Sequence, residues 1–519
     1  MNDKEIAEKL ELAYSIFKRE GASSHYVNIN NHLIESEKQS VQTTLNLAIH
    51  YLYINDMYFF EKAYHYLSHD YKFKLFNELH TKGELNKIGS AFNVIIEGLC
   101  SKDYITALIQ LASHGNYELT VKCIKKDKAT QFQLQNNAEA LQAIANSYLN
   151  LERDEDAVAY LKILLSLNPQ DLISRYNLAI TYENIGEFEE AKSLFYLNIK
   201  DYNHIPSLAR LLSIENEDNL HQLLGTCEKI INTEEQTKDN LTDLYFSMGT
   251  AFDKLANYAH AFKYFKLAND SISIDTVTDD PIYLMKEQNR IEYQLNNDSS
   301  PIFICGMFRS GSTLLEQIIS TNSKFNSGGE IEFFTSETLT SCIQNVDYAN
   351  ELANAYENKM SQFKGGINRV INKLPDNVLY IGLIKSLFPN AKFIITQRSI
   401  EDTCLSIYFQ NIAKSYAYAS NLELTKAYYL QQQEVVKQWQ SKFNDDVMVF
   451  NYEDLIADTE PSLEKLCHFL GVKFEKDMLN FYKNSNSVRT ASYHQVRSKL
   501  HAGSVGRFKN YQHYLNPIF

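Results

Sequence analysis

The chain has 519 residues, with 50 Lys+Arg against 64 Asp+Glu and a formal net charge of −14. That length exceeds what one hydrophobic core supports, so two or more domains are expected. The negative balance argues against a dedicated nucleic-acid binder, which needs a basic footprint to displace counterions, but leaves room for a local basic pocket holding a small anion. With 44% hydrophobic and 22% charged residues, the composition is that of a globular rather than a disordered protein. The first residues, MNDKEIAEKLELAYSIFKREG, interleave charges with apolar positions and lack the apolar core of a signal peptide. No later stretch approaches the ~20 apolar residues needed to span a bilayer. Seven scattered cysteines (Cys100, Cys123, Cys227, Cys305, Cys342, Cys404 and Cys467) contain no CxxC pair. They read as reduced, mostly buried thiols of a cytoplasmic protein, neither a disulfide frame nor a zinc site.

Proline is absent before Pro169, and only Pro206 and Pro281 follow before Pro301, so the first half reads as nearly all helix. Within it a period emerges. In 138–169 the landmarks are Ala145, Tyr148, Ala157 and Leu161; Ala179, Tyr182, Ala191 and Phe195 follow, each offset by 34 residues. A third copy has Gly249, Phe252, Ala261, Phe265 and Ala268 with the same internal spacings. Small residues let two helices approach while large ones fill the seam, which is the signature of tetratricopeptide (TPR) repeats, clear over about 138–270. The segment 46–68 reads as a degenerate earlier helical pair.

The pattern changes near 270. Pro281 breaks the repeat, and QLNNDSSP (294–301) reads as a polar linker. Short β-branched or aromatic runs then appear at 301–305, 391–397 and 447–452, alternating with helical stretches. Strand–helix alternation predicts a parallel sheet with helices on its faces. The domain boundary is therefore expected at 297/298.

The strongest motif is PIFICGMFRSGSTLLEQIIS: a hydrophobic strand, a turn from Gly306 to Gly311, and a helix at once. Against the nucleotide pattern GxxxxGK[ST], both glycines and Thr313 are present, but Ser312 takes the lysine position. Backbone N–H groups of such a turn, with the helix N-terminus, wrap an anion. Arg309 and the hydroxyls of Ser310, Ser312 and Thr313 add donors. The missing lysine normally handles a triphosphate, so a donor with a single 5′-phosphate carrying a transferable group fits better than ATP.

A second site lies in 366–411. Lys373 precedes Leu374-Pro375 at a strand end or loop, and Arg398 closes the strand AKFIITQR, where the carboxyl ends of parallel strands gather ligands. Ser406 follows two helical turns later, placed to address the same anion; the alternative is a surface ion-pair cluster of Arg398 with Glu401 and Asp402.

Together these passages resemble the sulfotransferase superfamily, in particular bacterial TPR-containing sulfotransferases and, over 300–519, the tyrosylprotein sulfotransferases. RSGST stands for the family's RSGTT loop, with Phe308 replacing the usual proline and Ser312 a threonine. The resemblance implies a TPR solenoid (1–297) followed by a P-loop-like α/β sulfotransferase domain (298–519) that uses 3′-phosphoadenosine 5′-phosphosulfate (PAPS) as donor, without a metal. It implies that Arg309, Ser310, Gly311, Ser312 and Thr313 bind the 5′-phosphosulfate and that Arg398 and Ser406 hold the 3′-phosphate. Glu330, in SGGEIEFF, matches the family's catalytic base; its alternative is a helix N-terminal carboxylate. Lys373 matches the element that stabilises the transferring sulfuryl group, with Arg309 beside it. Tyr452 in NYEDL, and Ser492 and Arg507 in the closing segment, are implied nucleotide contacts.

A TPR groove commonly holds extended peptides, so a peptide or protein tyrosine is the first expectation for the acceptor. A carbohydrate or small-metabolite hydroxyl is the second, and a TPR scaffold that binds nucleotide without turnover is the third. Nucleic acid and membrane are not expected partners. Because none of the loop residues precedes 298, removal of the helical half is expected to spare nucleotide binding.

Overall fold

The structure is a computed structural model. It describes residues 41–85, 91–124, 128–233, 237–273, 278–363, 369–483, 500–516 and 518–519, with isolated positions before 41. The chain divides into two compact units, Met1–Asn198 and Ile199–Phe519.

The first unit is helical throughout its described residues. Val41–Tyr53 and Met57–His65 form the early pair expected over 46–68, the second started by Asp56, whose carboxylate accepts from Phe59 N at 3.2 Å. The repeat helices follow: α1 (Ala138–Asn150), α2 (Asp154–Leu167), α3 (Leu172–Ile185) and α4 (Phe188–Tyr202). Their ends obey local chemistry. Asn137 and Asp171 cap α1 and α3 by accepting from Ala140 N (2.9 Å) and Ser174 N (2.8 Å). Asp154, Glu155 and Asp156 complement the N-terminal dipole of α2, and Gly186 ends α3 in the left-handed region at φ +89°. The repeat landmarks Ala145, Ala157, Leu161, Ala179, Ala191 and Phe195 are all fully buried.

In the second unit, α5 (Lys238–Lys254) and α6 (Tyr258–Asp270) form the third repeat copy. A Cβ at Gly249 would come within 2.8 Å of the Phe265 ring, so only glycine admits this close crossing. A second face of α6, beside the seam, is also covered. Phe265 stacks on Phe409 (centroids 3.8 Å), Phe262 stacks on Tyr514 (4.2 Å), and Asn269 Nδ2 donates to Tyr408 O at 2.9 Å. The expected boundary at 298 thus marks the change from helix to strand, whereas the compact unit begins at Ile199. The polar stretch before 301 is also more than a linker: after α7 (Pro281–Gln288), Tyr293 Oη donates to Cys342 O (2.8 Å) and Leu295 N to Ser386 O (2.7 Å).

Among the described residues the sheet has five parallel strands in the order β2-β3-β1-β4-β5: β1 (Ile302–Gly306), β2 (Phe325–Ser327), β3 (Arg369–Lys373), β4 (Lys392–Gln397) and β5 (Val447–Asn451). β1 is buried along its whole length, as a central strand covered on both faces must be. Its two neighbours, β3 and β4, run to opposite sides of the chain order, so the topological switch point lies at the carboxyl end of β1. All seven cysteines are free and six are buried. Among the described residues no helix is long and apolar enough to cross a membrane.

Candidate active site

Three strand ends deliver the site. β1 runs into the turn Met307–Gly311, and α8 (Ser312–Ile319) starts directly behind it. Gly306 has φ +131°, and a Cβ there would lie 2.5 Å from the Thr396 carbonyl oxygen; Gly311 has φ +102°, and its Cβ would meet the Tyr452 ring at 2.8 Å. Both positions need glycine. Arg309, at φ +64°, carries left-handed strain that a side-chain-bearing residue normally avoids. The turn is pinned from within: Ser310 Oγ donates to Met307 O at 2.5 Å and lies 2.7 Å from Thr396 Oγ1 of β4. Ser312 and Thr313 open α8, both buried.

The end of β4 supplies Arg398, followed by α9 (Ile400–Tyr408), which carries Ser406. Arg309 Nε donates to Ser406 Oγ at 3.0 Å, and Arg398 Nη1 to Arg309 O at 3.4 Å. Arg398, Asp402, Ser406, Ser504 and Arg507 line one cleft. Three guanidinium groups therefore converge. Burial, Arg398 and Arg507 push Arg309 down to about 10, and burial also lowers Arg398 against the pull of Asp402. Arg398 Nε is buried with no hydrogen-bond partner among the described residues. Crowded cations with an unsatisfied N–H are the counterpart of an oxyanion, so the residues present fit a phosphate. The ion-pair alternative for Arg398 holds in part: Arg398 Nη2 lies 3.6 Å from Asp402 Oδ2, but the pair is buried in the cleft, with Arg398 only 8% and Asp402 2% exposed, and is not a surface cluster. Tyr452, first residue of the helix after β5, lies under the Arg398 guanidinium at 5.3 Å and against Gly311.

The closing segment reaches the same cleft. Asp402 accepts from Gly506 N (2.7 Å) and Phe508 N (2.8 Å), and Arg398 Nη2 donates to Ser504 O. Arg507 is ion-paired with Asp253 of α5. Ser492 lies outside the described residues.

On the other side of the switch point, β3 ends in Lys373, which is 1% exposed and in register with Ile304 of β1. Its ammonium contacts Glu330 and lies 3.9 Å from Glu316 of α8. Glu330 sits in the irregular segment after Gly329, while the next helix begins at Ser336 under a Thr335–Thr338 capping box. The helix-cap alternative for Glu330 is thereby excluded: its carboxylate serves Lys373, not a helix end. Glu316, buried and accepting from Ser327 Oγ at 2.6 Å, has its carboxyl pushed up by burial against the opposing effect of Lys373. Beyond Lys373, Asp376 accepts from Tyr416 Oη at 2.8 Å, and the Tyr416 ring leans on Phe308 of the turn at 4.4 Å. Burial, with Asp279, Glu332 and Glu330 nearby, pushes Asp376 up to about 6.

Sequence reasoning singled out Arg309–Thr313, Glu330, Lys373, Arg398, Ser406, Tyr452 and Arg507; Arg398, Ser406 and Arg507 line one cleft, Arg309 and Tyr452 contact its wall, and Glu330 pairs with Lys373 at the end of the neighbouring strand β3. It missed Glu316, Asp376, Tyr416 and Asp253. Glu316 reads in TLLEQIIS as an ordinary polar helix position, and the others meet their partners only across long sequence separations.

The sulfotransferase family profile matches residues 301–476, and a tetratricopeptide-repeat profile matches 138–171. Residues 301–476 are a sulfotransferase domain. The match spans all five strands, the turn, Glu330, Lys373, Arg398, Ser406 and Tyr452; Arg507 lies beyond it. An uncharacterised Aquifex aeolicus protein is 26% identical over 72% of this chain and 54% of its own, so the chain spans about half the length of that relative. A candidate protein-tyrosine sulfotransferase of Caenorhabditis briggsae is 23% identical over 36% of this chain and 71% of its own. A 3-alpha-hydroxysteroid sulfotransferase of Cavia porcellus is 28% identical over 29% and 62%. Among solved structures, the sulfotransferase domain of the Synechococcus PCC 7002 olefin synthase aligns with 42% of this chain and 91% of its own, at 18% identity and a TM-score of 0.34.

Proposed function

We propose that the protein transfers the sulfuryl group of PAPS to a phenolic hydroxyl, a peptide or protein tyrosine, with Glu330 as general base. The observation that carries this reading is the Glu330–Lys373 contact at the end of β3, next to the phosphate turn at the end of β1. PAPS supplies a sulfuryl group already activated on a 5′-phosphate. The backbone of Met307–Gly311 and the N-terminus of α8 hold that phosphate, and Arg309 adds charge. Arg398, Ser406 and Arg507 hold the 3′-phosphate. Glu330 takes the proton of the acceptor hydroxyl as its oxygen bonds to sulfur, and Lys373 stabilises the charge that grows on the bridging oxygen as the S–O bond to phosphate breaks. No metal is required by this scheme, because the cations come from side chains.

The acceptor side supports a ring. Phe308 and Tyr416 stand against each other beside the turn, with Tyr418 and Tyr428 stacked behind them at 4.1 Å. The C. briggsae relative favours tyrosine, and the C. porcellus relative keeps an alcohol of a small molecule as the second reading.

The test is incubation of the full chain with radiolabelled PAPS and, separately, a tyrosine-containing peptide, a sterol and a glycan. Label on the peptide tyrosine is expected. Label on the sterol or glycan alone keeps the transferase and removes the tyrosine; no transfer with intact nucleotide binding leaves a binding scaffold.

A further inference from the structure

We infer that Asp253, a residue of the repeat helix α5, is a positioning residue for the donor's 3′-phosphate, acting through Arg507. The inference rests on the reading of the Arg398–Ser406–Arg507 cleft given above.

Arg507 is held from two sides. Its guanidinium is ion-paired with Asp253 and lies 5.4 Å over the Phe409 ring, itself stacked on Phe265 of α6. Asp253 also accepts a hydrogen bond from Tyr511 Oη, so one carboxylate clamps both an arginine and a tyrosine of the closing segment. The clamp is partly buried: the Asp253 and Arg507 side chains are 14% and 28% exposed, where an ion pair is less screened than on an open surface. The other end of the segment is tied to Asp402 through Gly506 N and Phe508 N. Asp402 thus fixes the backbone on either side of Arg507, and Asp253 fixes the side chain.

That division matters because the backbone tether leaves the arginine's rotamers free. A long side chain loses rotamer entropy when ordered, and a fixed fork avoids that cost at the moment the phosphate binds. An arginine offers five N–H donors, so an Nη2 contact with Asp253 leaves others for the cleft. A residue of a helical repeat, far from the motifs that mark the family, thereby reaches the donor site.

The test is calorimetric titration of the full chain with adenosine 3′,5′-bisphosphate and with adenosine 5′-phosphate. Asp253→Asn should weaken the bisphosphate about tenfold while the monophosphate stays unchanged, with Asp253→Glu restoring part of the loss. Arg507→Ala should show the same selectivity, and the double variant Asp253→Asn/Arg507→Ala should bind no more weakly than Arg507→Ala alone, because the two act as one unit. In turnover, Asp253→Asn should raise the donor KM by more than it lowers kcat. Equal weakening of both nucleotides would make Asp253 a fold residue and overturn the inference. Tighter bisphosphate binding, the outcome if Asp253 merely neutralised Arg507, would overturn it as well. A wild-type protein that binds the two nucleotides equally would instead remove the 3′-phosphate reading, and this inference with it.

Discussion

Asp376 shows what the site costs the fold. In an unfolded chain its carboxyl would ionise near its ordinary 3.8, whereas here it keeps its proton up to about 6. The native state therefore binds the extra proton between these values, and stability falls as pH rises from about 4 to about 6. Asp376→Asn keeps an acceptor for Tyr416 and removes the charge. It should raise stability at pH 7.5 by roughly 1–3 kcal/mol and change little near pH 4, as chemical denaturation at the two values would show. Equal effects at both pH values would mean that the charge is not what strains the site. Asp376 was not legible in the sequence, although it stands three residues after Lys373, because its partner Tyr416 and the neighbouring Asp279 come from distant segments. Arg398 and Ser406 were singled out from the strand end AKFIITQR and the helix after it, whereas Glu330 and the role of Lys373 came from the resemblance of SGGEIEFF and NKLP to the family's elements.

At the scale of elements, β1, β4 and β5 announce themselves as apolar runs. β2 has three residues, Phe325–Ser327, too few for any periodicity, and β3 reads RVINK, with charged residues at both ends. The burial of Lys373 there, against Glu330 and Glu316, is an exception to strand patterning, and such exceptions are where local rules fail. The third repeat was legible from Gly249 and Phe265, since their spacing fixes the seam between α5 and α6. What covers α6 on its other side was not, although Tyr258 and Phe262 give it a second aromatic face: Tyr258 meets Tyr511 at 5.3 Å and Phe262 meets Tyr514. Removal of the helical half at 298 would strip this face and expose Phe409, Tyr511 and Leu515, all buried. Truncating one buried Phe to Ala costs about 3–5 kcal/mol, and exposing several such side chains at once is a loss of at least that order. A 298–519 fragment should therefore be insoluble or lose bisphosphate binding, while a 199–519 fragment keeps the affinity of the full chain. A soluble 298–519 fragment with full affinity would contradict this account of α5 and α6.

Over the whole molecule the net charge is −14, yet Arg398 and Arg507 line one cleft and Arg309 reaches its wall through Ser406. Bulk charge says nothing about a local pocket; the fold, by bringing the end of β4 and its following helix beside the closing segment, makes the basic cleft. The same fold sets Glu330 and Lys373 across the switch point from that cluster, so that the proposed anion holding and proton transfer would occupy neighbouring strand ends. That pairing is the central claim. Its most direct test is the turnover of Glu330→Gln with radiolabelled PAPS and a tyrosine peptide, measured beside its affinity for adenosine 3′,5′-bisphosphate. A lost general base should slow turnover by about 10²–10⁴-fold and leave nucleotide affinity unchanged. Unchanged turnover at saturating substrates, or a loss confined to nucleotide affinity, would contradict it.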